Sequence, residues 1–175
     1  ERGPGLAAGP DEEVLELADV TVMPGNINAH GHLYMSLAAG MPQPAVPLTT
    51  YTDILTEVWW KLDRALDAQA VRLSALAGAW DAVRCGTTLV FDHHASMSAV
   101  GGALDRIEES LGEVGLRGCL CYEVTDRGGK GQRDMALQEN ERYLQKLLDA
   151  PRAEGVPRFR GLVGAHASFT LEERT

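Results

Sequence analysis

Residues 23–32 read MPGNINAHGH: a proline–glycine break, a short apolar run, then two histidines one residue apart. Side chains alternate along a strand, so His30 and His32 leave one strand end in the same direction. Gly31 between them lets the backbone come close to whatever they hold. Imidazole is a common ligand for zinc and iron. Catalytic sites of that kind supply at least three protein ligands and keep a position for water. The plainer alternative is a hydrogen-bonded structural pair. Placement after a strand and before a loop favours the metal.

Outward from this stretch, strand and helix signals alternate. Val14, Leu15 and Leu17 suggest a short strand, and Val20 to Ile27 a buried one broken at Pro24-Gly25. Residues 38–50, AAGMPQPAVPLTT, carry three prolines and read as a long surface loop. Thr50 is a candidate N-cap with Asp53 in the first turn, opening a helix striped by Ile54, Val58, Leu62, Ala65 and Leu66. Trp59 falls on its core face and Trp60 nearer its polar face. A second helix runs from Ala68 to Arg84 after Asp67, with Leu73, Leu76, Trp80 and Val83 as its stripe and Gly86 to stop it. TTLVFDHH is an apolar strand with a polar end. Val100, Leu104, Ile107, Leu111 and Val114 mark the next helix. LRGCLCYEVTD is a third strand, with Cys119 and Cys121 as core thiols. Glu123 and Asp126 read as solvated carboxylates at its end. RGGKGQ, residues 127–132, lacks a full phosphate-loop pattern and reads as a flexible turn. A helix over 134–150 stops at Pro151. FRGLVGAHAS is a fourth strand. Thr170 and Glu173 then form a capping-box pattern that predicts a helix start.

The strands are continuous apolar runs, the mark of parallel strands covered by helices. A doubly wound sheet or a (β/α)8 barrel would both produce this order. All five histidines (His30, His32, His93, His94 and His166) fall at C-terminal ends of predicted strands. In parallel α/β folds that edge carries the active site. His93 and His94 are neighbours, so one faces inward and the other away. The inward one is a candidate for substrate contact; a backbone-bonded neutral histidine is the alternative for either. His166 suits metal or substrate, and substrate is the preferred reading.

Composition narrows the classes. The 175 residues are 45% apolar and 23% charged, with net charge −9, as in an ordinary globular domain. That acidity argues against general nucleic-acid or anionic-membrane binding. No apolar run reaches about 18 residues and no signal-peptide pattern opens the chain, so no membrane span is expected. Three cysteines, an odd count, suit reduced thiols and a cytoplasmic location. The Gly/Pro-rich opening without Met and the ending at a helix start suggest a piece of a longer protein.

MPGNINAHGH resembles the first-strand metal motif of the amidohydrolase superfamily. HLYMSLAAGMP, EVWWKLDRALD, GTTLVFDHHAS, CYEVTDR and HASFTL together resemble the cytosine/guanine deaminase and chlorohydrolase branch, and within it the SsnA-type aminohydrolases. The likeness runs from about residue 14 to the end. It implies the N-terminal half of a (β/α)8 TIM-like barrel, about four βα units, over residues 20–175. Residues 1–19 would be the remnant of a β-sandwich subdomain. By the same resemblance His30 and His32 bind a divalent metal, zinc before iron. His166, with His93 or His94, contacts a small heterocyclic substrate. No general acid/base lies within the chain: a further histidine, a histidine–glutamate pair and an aspartate would lie beyond Thr175. The implied reaction is hydrolytic deamination of an amidine-like C–N bond. Amide or halide hydrolysis, an accessory role in a selenium-dependent hydroxylase pathway, and a half-barrel completed by a second chain or as a homodimer are the alternatives.

Overall fold

The computed structural model describes residues 7–151 and 155–175. The first six residues, which hold most of the Gly/Pro-rich opening and the start of the expected sandwich remnant, lie outside the described residues. Strands β1 (Asn26–Gly31), β2 (Thr87–His94), β3 (Arg117–Val124) and β4 (Phe159–Gly161) form one parallel sheet in chain order, and β5 (Gly164–Ala165) continues the pairing along β3. Between them run α1 (Tyr51–Ile54), α2 (Trp60–Ala65), α3 (Ala68–Arg84), α4 (Ala103–Glu113) and α5 (Lys130–Asp149). This is the parallel βα order expected of half a barrel.

The sheet has two distinct faces. Phe91 and His93 of β2 lie beside Cys119 and Cys121 of β3; Asp92 and His94 lie beside Leu120 and Tyr122. The second set faces the helices. A Cβ on Gly118 would meet Leu111 of α4, and one on Gly161 would meet Tyr143, Leu144 and Leu147 of α5. Between the layers sits the core: Leu104, Ile107, Leu111 and Leu120 are fully buried. The helix stripe read over 100–114 is that core, and Gly115 ends the segment with a φ of 88°.

Two caps fix local geometry. Thr50 and Asp53 form a reciprocal capping box on α1, and Asp67 accepts the Ala70 amide to start α3. The α4 N-terminus is capped from another helix: buried Glu139 accepts the amides of Gly102 and Leu104 at 3.0 and 3.1 Å.

Several expectations change. Residues 13–25 form no strand: Val14, Leu15, Val20 and Val22 are all exposed, with no partner strand beside them among the described residues. The helix after Thr50 is interrupted by a π-helical stretch over Leu55–Trp59, yet the expected core face holds: Leu55 and Leu66 are buried, and Trp59 and Leu62 pack against the core. In α3 the apolar stripe is not the buried face. Leu73, Trp80 and Val83 are exposed, while Val71, Ser74, Ala75 and Ala79 are buried. The reason is close approach: a Cβ on Gly78 would sit 2.3 Å from Ser36 Oγ and 2.7 Å from Leu33 Cδ2, so only the small-residue face fits against the turn after β1. The fourth strand breaks at Leu162-Val163. Opposite the break, the Tyr122 amide and carbonyl bond instead to Asn140 of α5, both at 2.8 Å. RGGKGQ is half helix, since α5 begins at Lys130. No helix starts at Thr170. Its hydroxyl donates to the Ala167 carbonyl inside a 3-10 turn, and Asp126 takes the Glu172 amide.

Candidate metal and substrate site

β1 ends by delivering His30 and His32 to one point. Their Nε2 atoms lie 3.1 Å apart. Two nitrogens at zinc-binding distance from one tetrahedral ion would be separated by about 3.3 Å. The His32 ring is held from β2: its Nδ1 lies 2.8 Å from the His93 carbonyl oxygen. A carbonyl only accepts, so Nδ1 carries the proton and Nε2 keeps its lone pair, the second-shell arrangement of metal-ligating histidines. Burial lowers the His32 pKa, which the His93 carbonyl partly offsets, so the ring is neutral near pH 7. The donor set therefore fits a divalent ion at two positions. Among the described residues, no cluster of three or more histidine, cysteine or carboxylate side chains completes it.

The turn that carries His32 is pinned by a residue the sequence reading passed over. Asp92, 1% exposed, accepts the Leu33 amide at 2.7 Å, and burial raises its pKa to about 7. Its Oδ2 has no partner among the described residues. The available signal was a charged residue inside an otherwise apolar strand. On the other side of His32, the Trp59 ring meets it edge-on at 5.0 Å, and Tyr34 at 5.7 Å.

Strand parity separates the adjacent pair. His93 lies on the face of His30 and His32, with ring centroids 6.3 and 5.7 Å away. Its Nε2 is buried without a partner among the described residues, and burial lowers its pKa to about 4. His94 points into the helix layer. It is 1% exposed, bonds Ser96 Oγ at 2.8 Å, and packs edge-on against Tyr34 and Tyr122.

His166 follows β5 on the same face as His93. Gly164 pairs with Glu123, and a Cβ on Gly164 would lie 3.1 Å from His93 Nε2 and 2.9 Å from Cys121 Sγ. His166 Nε2 stands 3.7 Å from Glu123 Oε2. Glu123, expected to be solvated at the end of the third strand, is instead buried within β3. It and Asp63 are buried around Arg127, whose guanidinium binds both and lies over the Trp60 ring at 5.1 Å. Burial pushes both carboxyls upward, against the pull of Arg127. Asp126 is engaged with Arg133 and Thr175. Asp63 and Arg127 were missed because one sits in an exposed-looking helix and the other in a glycine-rich turn. The structure thus brings His30, His32 and His93 together, sets His166 further along the same face, and leaves His94 out.

Comparison with known proteins agrees with the fold. The amidohydrolase family profile matches residues 21–174. The chain is 33% identical over 163 residues to a 5'-deoxyadenosine deaminase of Methanopyrus kandleri, covering 93% of this chain and 34% of that protein. It is 32% identical over 158 residues to a 5-methylthioadenosine/S-adenosylhomocysteine deaminase of Caldanaerobacter subterraneus, covering 90% and 33%. Two solved structures share the fold. Zinc-complexed atrazine chlorohydrolase TrzN from Arthrobacter aurescens matches with a TM-score of 0.56 at 21% identity, over 81% of this chain and 34% of that one. Guanine deaminase from C. acetobutylicum with bound guanine matches with a TM-score of 0.62 at 15% identity, over 85% and 34%. The chain spans about a third of the length of the curated relatives it matches.

Proposed function

The chain belongs to the amidohydrolase family, and from that premise we propose that it supplies one wall of a metal-dependent aminohydrolase site. The reaction we assign to the whole protein is hydrolytic removal of an amino group from an amidine-like carbon in a purine- or pyrimidine-like heterocycle. One observation carries the reading: His30 and His32 converge through Nε2 while the His93 carbonyl holds the His32 proton on Nδ1. The deaminase relatives supply the reaction class, and the zinc in the chlorohydrolase supports zinc as the metal.

When bound, a divalent ion supplies a Lewis acid that makes hydroxide available near neutral pH. The residues of this chain hold and shape the site. His30 and His32 donate two nitrogens. His93 offers an unpartnered ring nitrogen on the same face, and His166 contacts the heterocycle. Trp59 and Tyr34 cover His32 and keep water from its ring. His94 serves packing. Residues 1–19 belong to a terminal sandwich, residues 20–175 to the first half of the barrel, and the protein works in the cytoplasm, with a second copy as its candidate partner. Among the described residues no helix is long and apolar enough to cross a membrane.

The test is direct. Full-length protein purified with stoichiometric zinc should release ammonia from at least one of guanine, cytosine or 5'-deoxyadenosine. His30→Ala with His32→Ala should lose both zinc and turnover. Full zinc content in that double variant would overturn the assignment of the ligands, and no ammonia from any of the three would overturn the reaction.

A further inference from the structure

Thr170 decides which nitrogen of His166 carries the proton. Its Oγ1 lies 2.7 Å from the Ala167 carbonyl and 2.7 Å from His166 Nδ1. A hydroxyl has one proton, and the carbonyl can only accept, so that proton goes to Ala167. Oγ1 must then accept from His166, which places the imidazole proton on Nδ1. Nε2 is left with a lone pair. On that side stands another acceptor, Glu123 Oε2, at 3.7 Å, beyond hydrogen-bond reach. Glu123 is tied through Oε1 to Arg127, which also binds Asp63. Burial and the nearby guanidinium lower the His166 pKa, which keeps the ring neutral near pH 7.

We propose that Thr170 is a positioning residue that fixes His166 as a hydrogen-bond acceptor, so that the heterocycle meets this wall of the site with an N–H donor. The inference rests on the aminohydrolase reading for its ligand and deepens it: rings bearing an N–H besides the departing amino group, as the guanine ring of guanosine does at N1, are preferred over rings whose nitrogens only accept, as in adenosine. The lone pair at Nε2 would equally suit a metal, so the test separates the two.

In the full-length zinc-loaded protein at neutral pH, two-bond 1H–15N correlation spectra report the tautomer of each histidine, with His166→Gln assigning the resonance. The expected result is a protonated Nδ1 and an unprotonated Nε2 at His166. Thr170→Val should mix the tautomers, and Thr170→Ser should restore the original one, which a purely structural role for the residue would not require. One hydrogen bond to a neutral partner is at stake, so Thr170→Val should cut the binding preference for guanosine over adenosine by about fivefold to tenfold, with Thr170→Ser restoring it. A proton on Nε2 in the unmodified protein, a tautomer unmoved by Thr170→Val, or a zinc-induced shift at His166 Nε2 matching those of His30 and His32 would each overturn the inference. Failure of both purine nucleosides to bind counts against the heterocycle reading instead, and the spectrum then decides the role of Thr170 by itself.

Discussion

On the proposed ligand assignment, replacing Asp92 by alanine should weaken zinc binding although its side chain faces away from both imidazoles. The carboxylate is 1% exposed and accepts the Leu33 amide at 2.7 Å. Alanine strands that amide in a buried place, at about 1–3 kcal/mol. The cost falls on the turn that begins at His32, and the other restraint on His32, the His93 carbonyl, belongs to the next residue of the same strand. Loss of outer-shell partners of this kind lowers metal affinity by about 10–100-fold. Asparagine is the control: its amide oxygen can keep the Leu33 bond, and its nitrogen replaces an Oδ2 that already lacks a partner, so it should lose less. The assay is competition for zinc against a chromogenic chelator on the full-length protein, with hydrogen exchange at the Leu33 amide read in parallel. Faster exchange at Leu33 with unchanged zinc affinity would refute the reasoning, because the turn would then be loose without consequence for the ligand.

Other outcomes follow from the same structure. Glu139→Ala should destabilise by about 2–3 kcal/mol in denaturant titration, since two amides at the α4 N-terminus lose a buried charged acceptor; Glu139→Gln should cost less. Gly164→Ala should cost about 1–3 kcal/mol through overpacking, because its Cβ would lie 2.8 Å from the Tyr122 carbonyl oxygen, and histidine spectra should show His93 displaced. Burial lowers the His94 pKa from 6.5 to about 3. The unfolded chain therefore binds a proton that the folded one refuses between those values. Stability from this group is full above pH 6.5 and falls by about 1.4 kcal/mol per pH unit toward pH 3. His94→Gln should flatten that part of the pH–stability curve, and an unchanged slope would show that His94 is not the group responsible.

Much of the architecture was legible because it depends on local pattern. The apolar runs of β2 and β3, the α4 stripe, and the caps at Thr50 and Asp67 all read directly, since each is decided within a few residues. The α3 face did not. Helical periodicity finds large apolar residues, but Gly78 and Ala79 win the buried position because Leu33 and Ser36 come too close for anything larger. Thr170 and Glu173 match a capping box in sequence, yet the hydroxyl is spent on Ala167, a competition that no spacing rule sees. Of the candidate site, the histidines were visible because imidazoles at strand ends are rare. The Asp63–Arg127–Glu123 cluster was invisible because its members come from three separate elements, and each looks like an ordinary surface charge in its own segment.

The choice between His93 and His94 shows how the second strand organises the first. Register places His93 opposite Cys121 and His94 opposite Tyr122. Parity then sends one ring to the open face and the other into the helices. The same parity turns the Asp92 side chain toward the helix layer, where it meets the Leu33 amide, while the His93 carbonyl stays at the strand end to take the His32 proton. The geometry of the histidine that follows β1 is therefore held by two consecutive residues of β2, through the Asp92 carboxylate and the His93 backbone carbonyl. A one-residue insertion before Asp92 would reverse the faces of the Asp92 and His93 side chains. Such a variant should lose zinc even though His30 and His32 are untouched, and retention of zinc at normal affinity would show that β1 orients its own ligands.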